Sequence, residues 1–171
     1  MVDVAEAAAP KDPVASLAGQ VRHAGTGTLA RLRRCHPLQD RQTALFDTER
    51  LLLAAQVWPR TPAEHDRWSL VLHCLALAQG RHDRRSDAEP GAVLARLRFS
   101  EARLRQLVEA DWQLLATLVP RIARRLAAAG ASINWWPLAD LLLHAGTGEP
   151  EGERRADAAR QQLVQRYLGA Q

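Results

Sequence analysis

The chain has 171 residues, 47% of them hydrophobic and 25% charged, enough for one domain or two small lobes around a real core. Its net charge is +4, and the excess is central: residues 22–125 hold 18 arginines against 11 acids, a balance of +7, while residues 1–21 sum to −2 and residues 126–171 to −1. No apolar run is long enough to span a bilayer, the N-terminal MVDVAEAAAPKDP lacks the basic-then-apolar order of a signal peptide, and the two cysteines, Cys35 and Cys74, make no disulfide framework, so a cytoplasmic protein is expected.

Alanine, leucine, arginine and glutamine are abundant, and all four favour helices. Glycine-bounded Val/Ile/Thr runs are nearly absent, which argues against strands. The expectation is an all-α bundle of about eight helices. Residues 1–13 read as a flexible leader. A helix follows from about Val14 to His23. Gly25 suits a left-handed helix end, and Thr26 suits the cap of the next helix, which carries Leu29, Leu32 and the basic set Arg31, Arg33 and Arg34. His36-Pro37 ends it.

The third helix is expected over about Asp40–Val57, with Leu45, Phe46, Leu52, Leu53 and Val57 on one face. Thr61-Pro62-Ala63-Glu64 is a capping box with proline in the first turn. It opens a helix whose Trp68, Val71, Leu72 and Leu75 recur at three and four residues, up to Gly80. Residues 81–91, RHDRRSDAEPG, contain no apolar residue larger than Ala88. They read as an exposed linker between an N-terminal lobe, 14–80, and a C-terminal lobe, 92–171.

The second lobe begins with a short helix at about Ala92–Arg98. Ser100-Glu101 starts another, carrying Leu104, Leu107 and Val108. Asp111 caps a long helix running to Gly130, whose Trp112, Leu115, Val119, Ile122, Leu126 and Ala129 form an inward stripe. Pro120 lies off that stripe and is expected to bend the helix with its ring on the outer side. Asn134-Trp135-Trp136-Pro137 opens a further helix to about Ala145. Residues 146–152 form a loop, and a last amphipathic helix covers about Glu153–Leu168. The string HAGTG occurs at 23–27 and at 144–148 with unrelated flanks, so it marks two helix ends and no duplication.

Catalytic signatures are missing: no G-x-x-x-x-G-K-[ST], no G-x-S-x-G and no H-E-x-x-H occurs. Cys35-His36 and His73-Cys74 supply a nominal zinc set, but neighbouring helical residues point about 100° apart, so neither pair suits one ion. No metal or other cofactor is expected. The basic residues stand out more. Arg103 and Arg105 lie in RLRQL. On a helical wheel Arg121 and Arg124 project opposite the Trp112–Ala129 stripe, with Arg125 at its flank. Such a face can follow a phosphate backbone without reading sequence, although charge runs are also ordinary solvated surface. Coding bias in a GC-rich genome accounts for part of the preference of arginine over lysine. Trp68 and Trp112 fit the inward stripes. Of the adjacent Trp135 and Trp136, at most one can point fully inward, and the other suits a staple over the following helix, a partner surface or a stacked base.

From about Gly25 to Leu168 the sequence resembles the CasB family, the small subunit of the type I-E CRISPR complex Cascade. The resemblance is carried, in order, by GTGTLARLRR (25–34), ALF (44–46), HCLALAQG (73–80), RLRQLVEAD (103–111) and ARRLAAAGASINWWPLADLL (123–142). It implies an all-helical protein with two helical lobes. It implies a second copy of the chain packed end to end, with the large subunit CasA and the guide-RNA-coating CasC as neighbours. It also implies a non-catalytic role: bracing the guide RNA–target DNA duplex and holding the displaced strand. Arg33 and Arg34 match the family's paired basics, Arg103 the basic position of its central stretch, and Arg124 and Arg125, within a residue, the pair before the Trp step. Arg31, Arg67 and Arg121 join them from the helix pattern alone. Pro120 and the acidic GTGEPEGE (146–153) depart from the family, which puts a DNA contact by that loop in doubt. The competing expectations are a helical protein–protein adaptor that never meets nucleic acid and, ranked last, a small helical enzyme.

Overall fold

The computed structural model describes residues 12–171, in which nine helices form and the one pairing of extended backbone is an isolated bridge between His82 and Ile133. Of the leader expected at 1–13, all but Asp12 and Pro13 lies outside the described residues. Asp12 caps α1 (Pro13–His23), accepting the amide of Ala15 at 2.9 Å. Gly25 precedes α2 (Thr26–Arg34), and Asp40 precedes α3 (Arg41–Ala54). Of the capping box expected before α4 (Pro62–Leu77), the Thr61 half forms as expected, while Glu64 reaches one residue past the cap. Thr61 Oγ1 accepts the amide of Glu64 at 3.1 Å, while the Glu64 carboxylate accepts the amide of Arg60 at 2.6 Å.

After a 3₁₀ turn at Ser86–Ala88 come α5 (Pro90–Arg96) and α6 (Glu101–Glu109), the latter capped by Ser100. Asp111 caps α7 (Trp112–Ala128), its Oδ1 accepting the amide of Leu114 at 2.8 Å. The chain ends with α8 (Trp136–His144) and α9 (Pro150–Leu168).

α4 is the axis of the molecule. Every residue from Ser69 to Leu77 is buried, because α1, α2, α3, α7 and α8 pack around it. α9 lies against α5 and α8, and one apolar core runs from Val14 to Tyr167. Burying side chains on both sides of one helix is what lets short amphipathic helices, each marginal alone, hold their faces.

Four local expectations are corrected. On α3 the core face is Ala44, Asp47, Thr48, Leu51 and Leu52, whereas Leu45, Phe46 and Leu53 are exposed, Phe46 by 77%. The reason is that Asp47 and Thr48 occupy the inward positions, so hydropathy points to the wrong side. Pro120 is buried and not on the outer side of α7. Trp68 and Trp112 are half-buried at the edge of the core; the Trp112 indole donates to the carbonyl of Leu142 at 2.9 Å, which keeps its ring near the surface. Finally, the stretch 81–91 is exposed only at Arg84–Asp87, and Ala88–Gly91 are buried. Backbone bonds from Asp83 to Ile133 (2.9 Å) and from Asn134 to Ala88 (2.7 Å) tie it to the segment before α8. The tryptophan pair divides as geometry requires. Trp135 is fully buried, with its indole on the carbonyl of Arg81 at 2.9 Å, and the half-buried Trp136 donates to Asp12 at 3.0 Å.

Candidate nucleic-acid interface

The structure sorts the eight arginines singled out from sequence into three settings. The first is a cleft between α6 and α7. On α6, Arg103, Gln106 and Leu107 share a face at helical spacing; on α7, Leu118, Arg121, Ile122 and Arg125 do the same. Where the two faces meet, with Phe99 also in the lining, they enclose about 330 Å³ without a carboxylate among the lining residues. Arg103 and Arg121 are exposed, and among the described residues neither side chain has a hydrogen-bond or ion-pair partner. Arg125 is anchored: it donates to the carbonyl of Leu97 at 2.7 Å, and its guanidinium sits 5.9 Å from the Phe99 ring centre. Arg124, exposed beside the cleft and likewise without a partner among the described residues, lies close enough to α4 to act electrostatically on His73 and Cys74.

The second setting is α2. Arg33 donates to the carbonyl of Ala76 near the end of α4 at 2.8 Å, and Arg34 to its own helix at Ala30 (3.2 Å). Arg33 thus reaches the last turn of α4. Arg31 is engaged with Asp47 at 2.5 Å, and Arg50 and the hydroxyl of Thr28 complete the same network at 3.2 and 3.0 Å. The hydrogen bond from Arg31 holds the Asp47 carboxyl below the usual carboxylate range against the opposing effect of burial. Neutralising a buried acid is a structural task, and it leaves Arg31 less charge to offer a partner.

The third setting holds Arg67 alone. Its guanidinium donates to the carbonyls of Leu142 and Ala145 at 2.9 and 3.0 Å, capping the end of α8, and stacks 4.8 Å from the Trp112 ring centre. Burial lowers its pKa from the ordinary value. These contacts make it an internal brace, separate from the cleft.

Sequence reading missed Phe99, Gln106 and Leu118, three of the five uncharged residues of the cleft. Their signal is the i, i+3, i+4 spacing with Arg103 and Arg121, which becomes visible only once α6 and α7 are set side by side. The cysteine–histidine pairs do approach each other, with the rings of His36 and His73 5.4 Å apart. Among the described residues no three His, Cys, Asp or Glu side chains gather as a metal site would require. Cys74 is fully buried, and that burial pushes its thiol pKa up, away from the thiolate a metal needs. Among the described residues no helix is long and apolar enough to cross a membrane.

Fold and cleft define an all-α protein with a cationic, apolar-floored surface site. The chain belongs to the family of CRISPR-associated protein Cse2, whose model matches residues 28–167. Cse2 is the type I-E Cascade small subunit, the family that the sequence resembles under the name CasB, so the chain is a structural subunit of a CRISPR Cascade complex with other subunits. Comparison with curated proteins and with solved structures gives no match.

Proposed function

We propose that this subunit holds nucleic acid in Cascade without catalysing a reaction, bracing the guide–target duplex and retaining the displaced DNA strand on the side of the molecule that carries the α6–α7 cleft. The observation that carries this reading is the set of exposed arginines Arg103, Arg121 and Arg124, left without partners among the described residues, while most other arginines are spent on acids or carbonyls. Unpaired guanidinium groups on adjacent helices suit phosphates, which they bind bidentately with release of counterions. Arg33 and Arg34 extend the positive surface along α2, whereas Arg31 and Arg67 support the fold beneath it. In this reading CasA, CasC and a second copy of the chain are the protein neighbours. In this reading the lobes 14–80 and 92–171 meet along α4, and 81–91 is the partly buried connection between them.

The test is a Cascade reconstituted with Arg103→Ala, Arg121→Ala and Arg124→Ala together. The variant complex should assemble with guide RNA and yet leave thymines of the displaced strand less stably unpaired, read by permanganate reactivity over time. Displaced-strand reactivity equal to wild type would remove the reading.

A second reading, a helical adaptor without nucleic-acid contact, is favoured by one observation. Leu45, Phe46 and Leu53 on α3 and Trp58 after it are exposed by 46, 77, 47 and 61%, a set that suits a protein neighbour. Steep loss of DNA affinity with salt belongs to the first reading and not to this one.

A further inference from the structure

A surface that only tracks phosphates needs positive charge and nothing beneath it. The α6–α7 cleft has more. Its floor is apolar: Leu107 is 0% exposed, Ile122 3% and Phe99 8%, with the partly buried Leu118 beside them. Its volume of about 330 Å³ is at the low end of the range of pockets that hold small organic groups, about 300–1,000 Å³. Its mouth carries Arg103 and Arg121, and the Gln106 amide offers both a donor and an acceptor at the rim.

We infer that this cleft is a pocket for a single unstacked nucleobase of a DNA strand, with the flanking phosphates held by Arg103 and Arg121. The inference rests on the nucleic-acid reading above and deepens it. Charge complementarity selects the occupant: guanidinium groups without a carboxylate in the lining call for an anion, and the apolar floor calls for a flat apolar face attached to that anion. A nucleotide joins the two at the right scale. Arg125 is committed to Leu97 and Phe99, so it serves as a wall and leaves phosphate to the other two. Because every base has an apolar face, the pocket does not read sequence.

The experiment uses the full chain and two fluorescent oligomers of equal length, oligothymidylate and a backbone carrying no bases, followed by anisotropy. The wild-type chain should bind oligothymidylate roughly tenfold more tightly. Leu118→Trp, which fills the cleft, should bind both oligomers as weakly as wild type binds the abasic one. Arg103→Ala with Arg121→Ala should weaken both oligomers alike. Hydrogen exchange on the wild-type chain locates the effect should Leu118→Trp fail to fold. Amides of 99–107 and 118–125 should be protected more by oligothymidylate than by the abasic strand, and protection confined to other segments overturns the pocket. Equal binding of both oligomers with a steep salt dependence leaves the nucleic-acid reading in place and removes the base pocket. Binding of neither oligomer at low salt removes both.

Discussion

His36 Nε2 lies 3.1 Å from the backbone carbonyl of Ala116 on α7. That carbonyl is the one an amide at position 120 would have bonded, and Pro120 has no amide to give. The histidine of one segment thus satisfies an acceptor that the proline of another leaves open. The amide of Leu38 donates to His36 Nδ1 at 3.3 Å, so Nε2 carries the proton and donates. His36→Ala should destabilise the chain by about 1–3 kcal/mol, the cost of an orphaned buried acceptor. In a Pro120→Ala background, where α7 regains its own amide, the same change should cost at least about 1 kcal/mol less. A double-mutant cycle in urea checks this, and equal costs in both backgrounds would refute the pairing.

Acid should weaken the fold through His73. Its ring is 2% exposed, Nδ1 bonds the carbonyl of Leu32 at 2.6 Å, and Nε2 has no partner among the described residues. Burial, the largest influence, lowers its pKa from 6.5 to about 4. Between those values the unfolded chain binds a proton that the folded chain refuses. This contribution is therefore complete above about pH 6.5 and is lost as pH falls toward 4, to the extent of about 3 kcal/mol. Urea midpoints at pH 7.5 and 4.5 should show the loss, and His73→Gln should shrink it. Some slope should remain, since burial lowers the pKa of His82 and His144 as well.

Gly91 gives a prediction whose sign is unusual. Inside a helix, Gly→Ala ordinarily stabilises by about 0.5–1 kcal/mol. At position 91 a methyl group would meet the carbonyl oxygen of Leu163 and, at 2.9 Å, the amide nitrogen of Tyr167, both backbone atoms of α9. Backbone cannot swing aside, so α5 and α9 would be forced apart. Gly91→Ala should destabilise by about 1–3 kcal/mol and lower Tm, and a raised Tm would contradict the close packing of these helices.

Salt offers a fourth check. If Arg103, Arg121 and Arg124 each neutralise a phosphate of a single strand, replacing all three with alanine should flatten the slope of log affinity against log salt by about 2, at about 0.7 per contact. An unchanged slope would place the phosphate contacts elsewhere on the chain.

Helix positions and the middle of the inward stripe of α7, Leu115 to Leu126, are legible in the sequence because caps such as Asp111 and Thr61 mark the starts and apolar spacing marks the face, whereas Ala129 at the end of the expected stripe is exposed. α3 is not legible, because Asp47, buried beneath Arg31 and Arg50, and Thr48 take two of its inward positions. Asp47 reads as solvent-facing until Arg31, Arg50 and Thr28 are seen around it. Arg67 misleads in the same way. A charged residue early in a helix suggests surface, whereas its guanidinium caps another helix and stacks on Trp112. The cleft was half visible: its arginines stand out one by one, but Phe99 and Leu118 acquire meaning only from the packing of α6 on α7.

The most direct test of the central claim is photo-crosslinking in the assembled complex. Cascade carrying this subunit would be bound to a target whose displaced strand contains 4-thiothymidine, irradiated, and the crosslinked peptides identified. The account predicts adducts on this chain within 99–125, the span that holds the cleft. Crosslinks confined to other subunits, or to this chain only outside that span, would contradict it.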